Sequence, residues 1–245
     1  MSNGFELTKR NFLQGASSTS VVLIGSLAPS TVLDSLITPT LAAAGGKQQE
    51  RNKGKVTPPE DLMREHGVLD RVLLIYEAGM RKLAANEDFD HSVMIASAEI
   101  VRDFIENYHE TSEEEHVFPR FMNANQMVDL VNTLLEQHVA GRLITESILK
   151  FAPTSRKNTD DRRQLVGAMQ SFIAMYRPHA AREDTDLFPK LRDLVSSNEY
   201  DAMAEEFEKK ERHLFGDDGF EKMAQRLAGL EQSIGIHDIS QFTPR

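Results

Sequence analysis

The chain of 245 residues contains no cysteine. This absence excludes disulfide bridges, catalysis by a thiolate and iron–sulfur clusters held by thiolates, and it also removes any lipid anchor attached through cysteine. Basic residues are scarce relative to acidic ones, because 28 lysines and arginines face 38 aspartates and glutamates and leave a net charge of -10. An acidic chain without a basic face binds nucleic acid poorly, so we expect no nucleic-acid partner.

The chain also has no apolar run that is suited to crossing a membrane. Its most apolar stretch near the N-terminus, residues 21–41, is interrupted by Pro29, Asp34 and Pro39 and by several serines and threonines. Such a stretch is too polar for the hydrocarbon core of a bilayer. We therefore expect no stable membrane span in the mature protein.

Residues 1–44 instead have the features of an export leader. These features are, in chain order, Lys9-Arg10, Phe12-Leu13, a mildly apolar run and the small-residue site Ala42-Ala43-Ala44. Together they resemble a twin-arginine signal peptide with lysine at the first arginine position, and they predict cleavage near Ala44. The expected partner is the twin-arginine export machinery, and the mature protein is expected to be periplasmic or otherwise exported. The alternative is a disordered N-terminus with a chance basic pair.

The remainder of the chain predicts an all-α fold. After a flexible linker at residues 45–58, four stripes of apolar residues recur at alternating spacings of four and three, and no stretch alternates as a strand would. We predict an up-down-up-down four-helix bundle over residues 59–196. Additional C-terminal helices and a tail are predicted over residues 197–245.

Each stripe of the predicted bundle contains one histidine where a core would normally take an apolar residue. These histidines are His66, His109, His138 and His179. The point midway between successive histidines falls each time in a polar turn, at residues 86–88, 123–125 or 153–160. Residues equidistant from a turn lie at the same height in an up-down bundle, so the four histidines should meet in one layer. Their burial would be costly unless they were paired or bound to metal.

Two of the histidines begin a repeated motif. Residues 109–119 and 179–189 both read His-x-x-x-Glu, then an acid, then three residues, then Phe-Pro. Positions four apart lie on one face of an α-helix, so each copy presents an imidazole and a carboxylate together, through Glu113 and Glu183. A mixed nitrogen and oxygen set suits iron, manganese or zinc, and paired motifs in a bundle can hold two metals.

These residues resemble the hemerythrin-like (HHE cation-binding) family over roughly residues 60–192. The resemblance rests on Arg64-Glu65-His66, His109 to Pro119, Glu136-Gln137-His138 and His179 to Pro189. It implies a non-haem di-iron centre, with iron expected over manganese or zinc. The implied ligands are His66, His109, His138 and His179, with Glu113 and Glu183 as bridging carboxylates. Some members use the acid five residues after the last histidine. Here that acid is Asp184, whose angle of about 140° from His179 favours Glu183.

The resemblance implies a protein that binds or reacts with oxygen, peroxide or nitric oxide. Oxygen-carrying members have a fifth histidine one turn after the third-helix histidine, where this chain has Arg142. A guanidinium has no lone pair to give, so reversible oxygen carriage is not expected. The alternatives are iron storage or delivery and metal or redox sensing without turnover. Gly141 and Tyr176, each one turn from a histidine of the layer, either serve a bound ligand or simply pack.

Overall fold

A computed structural model describes residues 56–244 of the chain. Within this range it contains six helices and no strand, which confirms the all-α class with extra C-terminal helices. None of the described helices is both long and apolar enough to cross a membrane. The predicted signal peptide, its cleavage site near Ala44 and linker residues 45–55 lie outside the described residues.

Four long helices, α1 to α4, form the bundle, and α5 and α6 follow them. Helix α1 spans Pro58–Ala84 and α3 spans Val128–Phe151. Helix α2 is continuous and consists of Ser92–Ile100, Val101–His109, Glu110–Ser112, Glu113–Val117 and Phe118–Asn123, of which the second and fourth segments are π-helical. Helix α4 consists of Thr159–Arg182, the π-helical segment Glu183–Leu187, and Phe188–Leu194. Helix α5 spans Ser197–Phe215, α6 spans Gly219–Ile234, and a 3-10 turn covers Ile239–Phe242.

The starts of the bundle helices follow from local side-chain chemistry. The Thr57 hydroxyl accepts the Glu60 N–H at 3.4 Å, and a Glu60 carboxylate oxygen accepts the Thr57 N–H at 3.0 Å, so the two residues form a capping box. Pro58, the last residue of the predicted linker, is the first residue of α1, where its missing N–H costs nothing. Helix α4 starts after Asn158, whose side-chain oxygen accepts the N–H groups of Asp160 and Asp161.

The apolar core is divided into two clusters. The larger cluster lies toward the α1–α2 and α3–α4 turns and includes Leu73, Phe104 and Phe172. The smaller cluster lies toward the opposite end of the bundle and includes Phe121 and Leu191. All of these side chains are fully buried. The four predicted histidines lie between the clusters, so apolar packing on both sides positions the polar layer.

Helices α5 and α6 extend these two clusters from outside the bundle. Phe207 of α5 joins the smaller cluster, and Leu227 and Ile234 of α6 join the larger one. Arg71 of α1 also donates to both carboxylate oxygens of Glu231, at 2.8 and 2.7 Å. A bidentate pair of this kind fixes orientation as well as distance.

Candidate metal centre

The structure brings all six predicted site residues together in one layer. Each of these side chains is only 0–4% exposed. His66 and His109 form one pair, with their Nε2 atoms 3.1 Å apart and their ring centroids 4.7 Å apart. His138 and His179 form the other pair, with ring centroids 5.1 Å apart. The layer therefore contains two histidine pairs, and each pair joins neighbouring helices.

Glu113 and Glu183 lie between the two pairs. Glu183 Oε2 is 3.3 Å from His66 Nε2 and 3.1 Å from His179 Nε2. Glu113 Oε1 is 3.6 Å from His109 Nε2, and its Oε2 is 3.5 Å from His138 Nε2. Each carboxylate thus reaches one histidine of each pair, which is the placement required of a group that bridges two cations.

The other ring nitrogen of every histidine in the layer bonds to a side-chain oxygen of a neighbouring helix. The Nδ1 pairs are His66 with Asp184 at 2.8 Å, His109 with Glu65 at 2.7 Å, His138 with Glu114 at 2.8 Å, and His179 with Gln137 at 2.9 Å. Carboxylate and amide oxygens only accept, so each Nδ1 carries the proton and donates it. A neutral ring in this tautomer presents its Nε2 lone pair to the centre of the layer, as metal binding requires.

These four acceptors form a closed ring around the bundle. Glu65 of α1 holds the histidine of α2, Glu114 of α2 holds that of α3, Gln137 of α3 holds that of α4, and Asp184 of α4 holds that of α1. Each acceptor is the immediate sequence neighbour of a predicted site residue. Sequence reasoning missed the ring. The available signal was the acid or amide beside each histidine or glutamate of the motifs.

Both copies of the repeated motif contain a widened helical turn. The Phe118 N–H bonds to the Glu113 carbonyl and the Phe188 N–H bonds to the Glu183 carbonyl, five residues back in each case. Each turn ends just before Phe-Pro, where proline has no N–H and its ring clashes with the carbonyl four residues back in a regular helix. A π turn relieves that clash, and such turns are frequent at functional sites.

The widened turns also explain what the rest of the motif does. The acid five residues after each histidine faces the neighbouring helix, and the phenylalanine four residues later stacks on the same neighbouring ring. Phe118 stacks on His138 at 5.5 Å between centroids, and Phe188 stacks on His66 at 5.7 Å. Asp184 is therefore placed as a partner of His66 Nδ1, whereas Glu183 lies beside His179 Nε2.

Comparison with known proteins agrees with this arrangement. Residues 57–191 match the hemerythrin HHE cation binding domain, which is more than half of the chain. The chain belongs to the hemerythrin HHE family. Its relatives include uncharacterized proteins of Mycobacterium tuberculosis and Mycobacterium bovis, each 44% identical over 216 residues that cover 83% of this chain and 84% of the relative. No solved structure matches it significantly.

The hemerythrin-family centre has buried acceptors that no protein donor satisfies. Both carboxylate oxygens of Glu113, both of Glu183 and the His138 Nε2 atom are buried without a hydrogen-bond partner. Native proteins rarely leave such atoms unpaired, because each costs about 1–3 kcal/mol. Two cations, one at each histidine pair, would satisfy all five atoms. Four imidazoles and two carboxylates also fit the nitrogen and oxygen preference of iron, manganese or zinc.

Electrostatics within the layer favour the same interpretation. Burial lowers the pKa of His109 and of His138, which keeps both rings in the neutral form that binds metal. Burial also opposes the charged form of His66, but its contacts with Asp184 and Glu183 raise the pKa of this ring to about 9, so a cation has to displace a proton there. Burial and repulsion from Glu183 raise the pKa of Glu113 well above its usual value. Burial also opposes ionisation of Glu183, but His179 and His66 together lower its pKa below its usual value. A cation would relieve the repulsion between these two carboxyl groups.

Arg142, Gly141 and Tyr176 lie around Glu110 at the edge of the layer, where the Tyr176 ring also contacts the His179 ring at 5.4 Å between centroids. An Arg142 guanidinium nitrogen lies 2.7 Å from Glu114 Oε1 and 2.9 Å from Glu110 Oε2. The Tyr176 hydroxyl donates to Glu110 Oε1 at 2.6 Å. Gly141 makes room for this hydroxyl, because a β-carbon at residue 141 would overlap it. Tyr176 thus fills the space beside Gly141, and Glu110 is a buried polar residue that sequence reasoning missed.

Proposed function

We propose that this hemerythrin-family protein holds two iron ions and binds or reacts with dioxygen, peroxide or nitric oxide. His66 and His109 would hold one ion, His138 and His179 would hold the other, and Glu113 and Glu183 would supply carboxylates to both. The observation that supports this proposal most directly is the set of unpartnered, fully buried acceptors between two histidine pairs. Family membership implies a metal cation, and the histidine–glutamate clusters could hold one.

A non-haem iron pair supplies reversible redox change and coordination positions for a small ligand. The surrounding chain restricts which ligands can reach it, because all six site side chains are at most 4% exposed. The apolar clusters above and below the layer exclude bulk water. This degree of enclosure favours diatomic molecules and peroxide over larger organic substrates.

Metal analysis of anaerobically purified protein tests the assignment of ligands. We expect about two irons per chain in the unmodified protein and a loss of iron in His109→Ala and His179→Ala. His91→Ala is a matched control, because His91 lies outside the layer and bonds to the Ser155 hydroxyl at 2.8 Å. Unchanged iron in both layer variants would contradict the ligand assignment.

Optical spectra of the reduced protein test the ligand class. We expect the spectrum to change when oxygen, hydrogen peroxide or nitric oxide is added, and we expect no such change after His109→Ala. A protein that gives up its iron to a weak chelator and responds to none of these ligands would instead be a storage or delivery protein. Such a result would overturn the proposed reactivity while leaving the metal site in place.

We also propose that the protein is exported to the periplasm by the twin-arginine route. Support comes from Lys9-Arg10, Phe12-Leu13 and the small-residue site that ends at Ala44. Cell fractionation combined with sequencing of the mature N-terminus tests this proposal. The expected mature protein begins near Gly45, and a cytoplasmic protein that retains Met1 would contradict it.

A further inference from the structure

We infer that Gln137 and Arg142 make the two ion positions unequal, so that the position between His66 and His109 binds its ion more tightly. The inference rests on the proposed function, in which the protein holds two metal ions, and it adds the order in which the two positions fill. It follows from the charges that face the Nδ1 side of each histidine pair.

The layer has an internal two-fold pattern that allows the two pairs to be compared position by position. Helix α1 corresponds to α3, and α2 corresponds to α4. In both halves, a phenylalanine of the repeated motif stacks on the histidine of the simple helix, as Phe188 does on His66 and Phe118 does on His138. In both halves, the acid five residues into the motif accepts from that same ring. A difference between two matching residues should therefore change the affinity for the ion in only one half.

The half that contains His66 and His109 is held by two carboxylates. Asp184 accepts from His66 Nδ1 at 2.8 Å, and Glu65 accepts from His109 Nδ1 at 2.7 Å. Within residues 56–244, neither carboxylate forms an ion pair with a lysine or arginine. Asp70, four residues after His66, is a further acidic group in the electrostatic range of His66, and Arg177 acts on it as well. A carboxylate that accepts from Nδ1 raises the basicity of the metal-binding nitrogen.

The half that contains His138 and His179 has weaker acceptors. The partner of His179 Nδ1 is the neutral amide oxygen of Gln137, which stands where Glu65 stands in the other half. The Glu114 oxygen that accepts from His138 Nδ1 at 2.8 Å also accepts from Arg142 at 2.7 Å. Arg142 occupies the position that corresponds to Asp70, four residues after the histidine.

Glu110 does not restore the missing negative charge in this half. Its carboxylate is 2.9 Å from the same Arg142 guanidinium and accepts the Tyr176 hydroxyl at 2.6 Å. Its Oε1 thus accepts from Tyr176 of α4, and its Oε2 lies at ion-pair distance from Arg142 of α3. In the first pair, Glu65 also interacts with the neutral Tyr108 hydroxyl, but within the described part of the chain neither Glu65 nor Asp184 is paired with a lysine or arginine. In the second pair, the acid behind His138 is paired with Arg142, and the group behind His179 is an uncharged amide.

The expected consequence is a difference in affinity between two otherwise similar positions. Removing or weakening such an outer partner lowers metal affinity by about 10- to 100-fold in other sites. We therefore expect the His66–His109 position to fill first and to empty last. Gln137 acts as a positioning residue: because its amide is uncharged, it lowers the affinity of the His138–His179 position for its ion.

Titration of the metal-free full chain with zinc, which has no redox chemistry, tests this order. Calorimetry should resolve two steps that differ in affinity by at least about tenfold. With protein labelled with nitrogen-15 in histidine, one equivalent of zinc should shift the imidazole signals of His66 and His109 before those of His138 and His179. Fold disruption alone would not produce this sequence of shifts.

Two matched substitutions complete the test. Gln137→Glu should strengthen the second step and bring the two affinities together, a gain that a misfolded variant cannot produce. Glu65→Gln, the corresponding change in the other half, should weaken the first step. If the four imidazole signals shift together, or those of His138 and His179 shift first, the inference is wrong although the metal site stands. If no zinc or iron binds, the proposed function itself is wrong.

Discussion

The two apolar clusters and the polar layer between them are equally inaccessible to solvent. Phe172 and Phe121, from the two clusters, are both 0% exposed, and so are Glu113 and Glu183. Burial of the phenylalanines stabilises the fold by about 25 cal/mol for each Å² of apolar surface removed from water. Burial of the carboxylates destabilises the fold, because their oxygens lose hydrogen bonds to water and gain no protein donor.

This difference assigns the two regions different roles: the apolar clusters stabilise the fold, and the polar layer contains the candidate site. The clusters lie on both sides of the layer and can hold the four helices together whether or not the layer contains ions. The layer is then a polar region whose buried, unpartnered acceptors a bound cation would satisfy. A helix bundle of this kind can keep a preformed site open to a cation because its apolar packing offsets the cost of the site.

Of the changes considered, removal of the proposed ions should alter the stability of the fold most. Each bound ion stabilises the folded state by about 2.7 kcal/mol when its free concentration is 100 times its Kd, and the bare layer leaves buried carboxylates unpaired. Thermal unfolding with and without a strong chelator should show a markedly lower Tm for the stripped protein. The helical content at low temperature should persist, because the clusters remain intact.

A double variant provides the control for that experiment. Glu113→Gln combined with Glu183→Gln removes both bridging charges and should make the Tm insensitive to the chelator. An unmodified protein whose Tm does not respond to chelation would show that the layer is a polar network without ions.

A cavity in the larger cluster should have the next largest effect, and it should leave the layer unaffected. Leu165 is fully buried in that cluster, near the start of α4. Leu165→Ala should lower the free energy of unfolding by about 2–5 kcal/mol, through lost burial and the cavity left behind. Denaturant unfolding measures the loss, and metal analysis should still find the unmodified iron content. Loss of iron would mean that the layer depends directly on packing at this distance.

The clusters and the layer also differ in how well the sequence predicts them. Apolar stripes at spacings of three and four predict helices and their buried faces, and polar turns such as residues 123–125 predict where the chain reverses. Symmetry of the turns then places His66, His109, His138 and His179 at one height. These inferences succeed because they depend only on helical periodicity and chain reversal.

The finer organisation of the layer was not predictable by the same reasoning. A π turn such as Glu113–Val117 spans five residues, of which only Val117 is apolar, so the spacing of apolar residues does not reveal it. The bond from His179 Nδ1 to Gln137 joins two helices and depends on the rotation of each about its axis. Glu110 was missed because an acid beside a histidine normally faces solvent. Its burial follows from Arg142 and Tyr176 on other helices.

The smallest expected change in stability concerns Gly141, where the layer borders the larger cluster. Substitution by alanine adds a single methyl group at this boundary. Gly141 faces Tyr176, and a β-carbon there would overlap the hydroxyl that donates to Glu110. Gly141→Ala should displace this hydroxyl and lower the free energy of unfolding by about 1–3 kcal/mol, as overpacking does. Part of this cost is offset by about 1 kcal/mol of improved helix propensity. Denaturant unfolding measures the net change.

Gly167 provides the matched control on α4. It also lies within a helix, but a β-carbon at residue 167 would meet nothing within 4 Å. Gly167→Ala should therefore stabilise the protein by about 1 kcal/mol through helix propensity alone. The two glycine-to-alanine changes should shift stability in opposite directions because only one of them meets the Tyr176–Glu110 contact. Stabilisation by both would show that Tyr176 can move aside freely, and that the boundary between the layer and the apolar core is loosely packed at residue 141.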